Sequence, residues 1–530
     1  MTARFALAAL VAAAVAAVTL GSARGAGTAQ VLVQLQPRSG AEVARLLEER
    51  GAREIVPELR LYRLPAAAAA RILPRLRAAG AVRYAGRDRE AGTLAVAQAA
   101  DEPLAAEEWW REAIGILGLE PPGPGVPVTV VDSGIDVTHP EFAGRPNLLA
   151  LNPQEPAGIG GRHGTGVASI VGAPVNGLGI SGIYPQAVLR SWDAALGEGT
   201  RLDTSDIVAG IIAAARQGLA DGGRGVVNLS LGGPGPDPLI RQAVAAAVRA
   251  GVLVVAASGN DGPDGRLTYP ASYPHVLTVG AIGRDGGVSR FSSQSRFVDL
   301  VAPGVEITTA WPVNPDESPD GYRANDGTSF SAPLVAGAAA WVWTVRPELD
   351  AGQLFEVMRR SARDVGPPGR DHATGFGVLD VGAALAAAAP VRDPFEPNES
   401  LEQLRPGGLA RGIAPAPALT TKQRRTARLV ARLTTNEDPR DVYKIWVPRG
   451  WTIAATAQAD TDVDLSLWRE TARDLRSASA GDRVARATTR GPNELLSYRN
   501  DGAGAAFWLS VVMPSGVTDA QYSLQLARAA

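Results

Sequence analysis

Apolar positions change their rhythm three times along the chain. An opening run, "FALAALVAAAVAAVTL" (residues 5–20), is apolar on every side. Residues 30–97 then alternate: "VLVQLQP", "LRLYRLP" and "VRYAGR" read as short strands with one face inward. Between the first two, "SGAE" (39–42) has the form of a helix capping box, and Val43, Leu46 and Leu47 line one helical face behind it. "AAAAARILPRLRAAGA" predicts a second helix, so this stretch is a small α+β unit. "AVAQAADEPLAAEE" (95–108) reads as an exposed connection.

From about residue 125 to 385 the rhythm changes. "VPVTVVD", "GVVNLSL", "GVLVVAAS" and "HVLTVGAI" are nearly uninterrupted apolar runs. Strands look like this when helices cover both faces of a parallel sheet. "SDIVAGIIAAARQGLA" and "PLIRQAVAAAVRAG" supply crossover helices. The predicted fold is α/β, a doubly wound and mostly parallel sheet, whose sites lie at the carboxyl ends of strands. Beyond the turn-rich "VRDPFEPNES" (391–400), the runs "ARLVARL", "VYKIWV", "WTIAATA", "DVDLSLW", "AFWLSVV" and "QYSLQL" alternate with no helix between them. That spacing predicts an antiparallel β-sandwich. Residues 404–426, Pro-rich and then basic, read as a solvated loop.

Composition narrows the chemistry. The 530 residues are 45% hydrophobic and 20% charged, ample for several cores. A formal charge of −2 gives no electrostatic case for nucleic acid. With no cysteine, disulfides, thiolate metal sites and cysteine nucleophiles are excluded. Arg4, the following apolar run and "GSA" ending at Ala23 form a secretory signal over residues 1–25, which places the mature protein outside the cytoplasm, secreted or periplasmic. No second stretch could cross a bilayer, so stable membrane insertion is not expected.

Four short stretches could carry a reaction. In "DGTSFSAPLVAG" (326–337), Ser329 stands at the start of an apolar helix, where a hydroxyl residue is either a cap or a nucleophile. A nucleophilic serine needs a base. Of the four histidines, His163 in "GGRHGTGVASIVGA" is flanked by glycines that let a substrate approach. Asp132 ends the apolar run "VPVTVVD", where a carboxylate is costly to bury without a donor such as a histidine N–H. Read alone, it could equally form an Asx-turn with "SG". Asn260 in "VVAASGNDG" could favour a left-handed turn, or could aim its amide at an oxyanion beside the Ser329 N–H.

Taken together, "VVDSGIDVTHPEF", "HGTGVAS" and "DGTSFSAPLVAG", in the order Asp, His, Ser, resemble the motifs of the subtilisin-like serine proteases (subtilases) over about residues 100–385. "SGND" resembles the motif that carries the family's oxyanion asparagine, and "GFGVLDVGAAL" resembles the start of its last core helix. The resemblance implies a serine endopeptidase with Asp132, His163 and Ser329 as triad, Asn260 in the oxyanion hole and no catalytic cofactor. Gly166, Ser169 and Phe330 depart from the family's usual residues, which bears on substrate preference.

The same resemblance implies roles for the flanks and the cleft. Residues 26–100 resemble the inhibitory propeptide, an intramolecular chaperone removed autocatalytically. Residues 101–390 would be the peptidase domain, and 391–530 resemble the bacterial pre-peptidase C-terminal domain. "VNLSLGG" resembles the strand that pairs with an extended polypeptide substrate, bringing in Ser230, Leu231 and Gly232. Thr268 falls near the floor of the pocket for the residue before the cut. "PVNGLGISG" keeps the length of the family's calcium loop, with Glu141, Asn176 and the carbonyls of Leu178 and Ile180 as oxygen ligands for a structural Ca2+. A monomer is expected. Two other activities fit the same residues: a catalytically silent binding or adhesion module, and acyl transfer to an amine.

Overall fold

The computed structural model describes residues 30–36, 39–56, 60–87, 102–154, 162–195, 202–314, 318–405, 408–473, 475 and 481–530. The expected signal peptide lies outside them. The chain divides into two compact units, Met1–Ala95 and Val96–Ala530.

In the first unit, β1 (Gln30–Leu35), α1 (Ala41–Glu48), β2 (Arg53–Val56), β3 (Leu61–Pro65), α2 (Ala66–Ala78) and β4 (Val82–Arg87) follow in order. The strands form one antiparallel sheet, β2-β3-β1-β4. Inward residues of alternating strands, Val33, Leu35, Tyr62 and Leu64, pack with Leu47, Ile72 and Leu76 of the helices. Two expectations need correction. The capping box does not form: Gly40 is the N-cap of α1, without a side-chain bond, and Ser39 Oγ donates to the Ala81 carbonyl at 3.1 Å. The sheet also has a strand, β2, that its charged sequence "REIV" concealed.

The second unit is built on a seven-stranded parallel sheet. Its strands are β5 (Val128–Asp132), β6 (Leu148–Ala150), β7 (Leu189–Asp193), β8 (Gly225–Leu229), β10 (Val252–Ala257), β12 (Val276–Ile282) and β13 (Leu300–Pro303), in the order β13-β12-β10-β8-β5-β7-β6. The four predicted strands are the central ones, buried at every position. The crossover helices α4 (Thr204–Ala220) and α5 (Pro238–Arg249) cover one face, after α3 (Arg162–Gly172). Helix α6 (Thr328–Val345) covers the other and is buried almost throughout. Two short antiparallel pairs flank the sheet: β9 (Gly233–Pro234) with β11 (Thr268–Tyr269), and β14 (Ile307–Ala310) with β15 (Tyr322–Asn325). Strand β5 has later strands on both sides, β7 and β8, so the strand order reverses there and opens a crevice at its carboxyl end.

The segment expected to be an exposed connection is anchored at its end. Glu102 and Glu108 are buried, and Glu108 accepts from the Ser181 N–H and pairs with Arg111. Burial without enough compensation raises Glu108 above the usual carboxylate range, against Arg111. Among the described residues no helix is long and apolar enough to cross a membrane.

Eight strands follow in the C-terminal part: β16 (Thr426–Thr434), β17 (Arg440–Val447), β18 (Thr452–Ala459), β19 (Asp464–Arg469), β20 (Arg483–Ala487), β21 (Asn493–Arg499), β22 (Ala505–Val512) and β23 (Asp519–Ala529). They form two antiparallel sheets, β16-β23-β18-β21 and β17-β22-β19-β20, around one apolar core. The turn-rich stretch 391–400 is part of the seam between this sandwich and the parallel sheet. There His275, just before β12, meets Glu399 and, at 3.1 Å, Glu396, while the His275 N–H donates to Glu437 at 3.0 Å.

Candidate active site

Asp132 is the last residue of β5 and is 1% exposed. Its Oδ1 accepts from the Ser133 N–H at 2.7 Å and bonds His163 Nδ1 at 2.8 Å. Its Oδ2 is buried without a partner. His163 lies in the first turn of α3, with its ring centroid 5.6 Å from that of Phe330. Burial disfavours the imidazolium, but the Asp132 charge and hydrogen bond outweigh it, so the pKa of His163 lies above its usual value.

Ser329 is the second residue of α6. Gly327, at φ 151°, is the N-cap and makes no side-chain bond, so Ser329 does not cap the helix. Ser331 is fully buried and donates to the Ala302 carbonyl. The Ser329 hydroxyl donates to the Ser230 carbonyl at 3.3 Å, while Ser230 Oγ donates to the Ser329 carbonyl at 2.7 Å. No bond joins Ser329 Oγ to His163 among the described residues. In substrate-free sites such bonds are commonly long and tighten when the reactant arrives. Asn260 Oδ1 accepts from both the N–H (3.0 Å) and the Oγ1 (2.9 Å) of Thr328. With its oxygen fixed from two sides, the Asn260 amide N–H₂ is left for another acceptor.

Asp132, His163, Asn260 and Ser329 line one cleft of about 880 Å³, and Ser230, Leu231, Gly232 and Thr268 line it too. Thr268 packs closely on two glycines. A Cβ at Gly259 would come within 2.3 Å of its Oγ1, and one at Gly232 within 2.6 Å of its Cγ2. Two of the unusual residues have visible partners: Phe330 packs on His163, and Ser169 Oγ donates to Gly166 and accepts from the Ala310 N–H. Sequence reasoning missed Thr328. Its signal was present, a hydroxyl residue immediately before Ser329.

The residues expected around calcium also come together, through hydrogen bonds. Glu141 is 1% exposed and accepts from the Ile180 N–H (3.2 Å), Tyr322 Oη (2.9 Å) and Asn176 Nδ2 (3.2 Å). Asn176 Oδ1 accepts from the Leu178 N–H, and Glu102 accepts from the N–H groups of Asn176 and Gly177. Leu178 and Ile180 therefore turn N–H groups toward these side chains. One buried oxygen, Glu102 Oε2, has no donor. Burial pushes the Glu141 carboxyl up to about 7, against the Ile180 and Tyr322 bonds. Glu102 and Tyr322 were not anticipated, because they lie far away in the sequence.

A hydroxyl, an imidazole, a carboxylate and a fixed amide around one crevice at the switch point of a parallel sheet are the parts of a serine hydrolase. Comparison with known proteins defines the class further. The subtilase family model matches residues 123–377. The chain is 36% identical over 244 residues to Subtilisin Savinase of Lederbergia lenta, covering 46% of this chain and 86% of that protein. It is 34% identical over 335 residues to fervidolysin of Fervidobacterium pennivorans, covering 57% of this chain and 47% of the relative, so it spans about half of fervidolysin's length. The crystal structure of fervidolysin, described as a keratinolytic enzyme related to subtilisin, superposes with a TM-score of 0.49 at 23% identity, over 90% of this chain and 70% of that one. The chain belongs to the subtilase family of serine peptidases.

Proposed function

We propose that this protein is an extracytoplasmic serine endopeptidase, made as a precursor and acting on polypeptides. Ser329 Oγ attacks the scissile carbonyl while His163 Nε2 takes its proton. His163 then gives that proton to the leaving amine, and water releases the acyl group by the same steps in reverse. Asp132 Oδ1 holds the Nδ1–H, which fixes the tautomer and favours the imidazolium. The oxyanion is met by Asn260 Nδ2 and the Ser329 N–H, at the positive end of an 18-residue helix. The observation that supports this reading best is the 2.8 Å bond between Asp132 and His163 on the wall of the cleft that also holds Ser329 and Asn260.

In this reading residues 26–100 serve as propeptide, inhibitor and chaperone, and 391–530 as an accessory sandwich on a monomeric enzyme. Ser230, Leu231 and Gly232 pair with the extended substrate, and Thr268 limits the pocket before the cut to uncharged side chains of moderate size. Calcium at Glu141 and Asn176 would be structural and would require those side chains to exchange N–H donors for the ion. The test compares the parent with Ser329→Ala. The parent should process itself, cleave casein and react with a fluorophosphonate probe, and the variant should do none of these. Equal labelling, or self-processing by Ser329→Ala, would overturn the proposal.

A further inference from the structure

One inward position of the sandwich carries a charge that its surroundings leave half unanswered. Strand β21 alternates exposed and buried residues, so Glu494 and Leu496 both face the interior. Glu494 stands opposite Ala457 of β18 and is 1% exposed. Its Oε1 accepts from the Thr489 N–H at 2.6 Å and from the Thr489 hydroxyl. Its Oε2 is buried and has no donor. An ionised oxygen in that position forfeits hydration with nothing in exchange.

What faces it is more negative charge. The chain crosses from one sheet to the other between β18 and β19, with Asp462 in the crossover and Asp464 the first residue of β19. One carboxylate oxygen from each of Asp462, Asp464 and Glu494 lies within 4.8 Å of the others. Asp462 Oδ1 accepts from the Gly491 N–H at 3.2 Å. Among the described residues, no Arg or Lys forms an ion pair with any of the three. The nearest compensation is Arg486, an exposed residue that favours the Asp464 carboxylate but does not overcome its burial and its two acidic neighbours.

We propose that Asp462, Asp464 and Glu494 bind a divalent calcium-class cation that fastens the β18–β19 crossover to β21. The donor set is entirely carboxylate oxygen, which suits a hard cation. Two oxygens on one Ca2+ stand at most about 5.2 Å apart, twice the longest usual Ca–O bond, and the three carboxylate oxygens already lie within 4.8 Å of one another. Waters complete the shell on the solvent side, where Asp462 and Asp464 are half-buried.

The test uses the full chain carrying Ser329→Ala, to suppress autolysis. Protein stripped with chelator is equilibrated with Ca2+ alone at about 5 mM free, above the 10⁻⁴–10⁻³ M range of extracellular calcium modules. Bound ions are counted by atomic emission after gel filtration. The parent should carry one more ion per chain than the same protein with Glu494→Gln, and one more than the Asp462→Asn/Asp464→Asn pair. Any ion held near Glu141 cancels in that difference. Ca2+ should also raise the melting temperature more in the parent than in either variant. Equal counts in parent and folded variants would overturn the assignment, as would a parent that carries no ion. The paired Asn variant alters only half-buried residues and keeps the test open if Glu494→Gln fails to fold.

Discussion

Raising the pH should loosen the seam between sandwich and peptidase-like sheet, and the size of the effect can be worked from its buried acids. His275 meets Glu396, Glu399 and Glu437, Asp393, Asp438 and Asp441 lie beside those acids, and five of the six keep a buried oxygen without a donor: Asp393, Glu396, Glu437, Asp438 and Asp441. Burial, reinforced by repulsion from Asp299, lifts Glu437 to about 8 against Arg359 and His275; burial and mutual repulsion lift Asp441 to about 6 and raise Asp393, Glu396 and Asp438 well above the usual range. His275 is disfavoured by burial, but Glu399 and Glu396 hold it protonated well above its usual value. A group whose folded pKa is raised contributes stability below its unfolded pKa and loses it as pH rises through the folded one. These groups therefore act in one direction; only Glu399, which His275 draws below 4.5 against its burial, opposes them, and it does so in acid. Between pH 5 and 8, Glu437 alone should remove about 4 kcal/mol, three pH units at about 1.36 kcal/mol each. The assay is urea unfolding of the Ser329→Ala chain at pH 5 to 9 in chelator, read by tryptophan fluorescence, with Glu437→Gln in parallel. The parent should weaken steadily, and the variant's slope should be shallower by about 1.36 kcal/mol per unit. Stability that holds level or rises between pH 5 and 8, or equal slopes in the two proteins, would refute the reasoning.

Three further expectations concern the candidate active site and the Glu141 loop. If Asn260 is the oxyanion donor of the proposed mechanism, Asn260→Ala should lower kcat by about 10²–10³ with little change in KM, the magnitude seen on loss of one oxyanion donor in a subtilisin, and steady-state kinetics on a peptide anilide checks it. Thr328→Val removes one of two donors that fix Asn260 Oδ1 and the acceptor of the Gly259 N–H, worth about 1 kcal/mol, so kcat should fall roughly fivefold at constant KM. An unchanged kcat would mean that the Thr328 N–H suffices. Glu141, raised from 4.5 to about 7, should make the calcium-free protein less stable by up to about 3 kcal/mol as pH rises through that window. Glu141→Gln should abolish that share, and bound Ca2+ would flatten it in the parent, which melting curves with and without chelator distinguish.

The sequence revealed those parts of the fold whose cause is burial on both faces. Strands β5, β8, β10 and β12 are nearly uninterrupted apolar runs because helices cover them on either side. The edge strands escaped notice for the complementary reason. β6, at the edge of the parallel sheet, is only three residues long, β7 beside it alternates half-buried Arg190 and Trp192 with buried positions, and the edge strands β20 and β21 carry Arg483, Arg486, Glu494 and Arg499. An edge strand needs only one apolar face, and four or five residues of alternation leave too few positions to distinguish it from a loop.

Side-chain chemistry divides along a similar line. Asp132, His163 and Ser329 occupy the end of a strand or the start of a helix and Asn260 the loop just after β10, so their motifs sit in local patterns that one stretch of sequence displays. What fixes them does not. Glu141 meets Tyr322 across 181 residues, His275 meets Glu399 across 124, and Asn260 meets Thr328 across 68. Each partner looks ordinary in its own stretch, because a hydrogen bond depends on where the fold delivers two atoms and leaves no periodicity behind. The same holds for Glu494: its alternation marks position 494 as inward, where an apolar residue is expected, and only Asp462 and Asp464 arriving from the other sheet give that misfit a chemical meaning. Polar residues that break an inward pattern are therefore the positions at which the sequence records a partner without naming it.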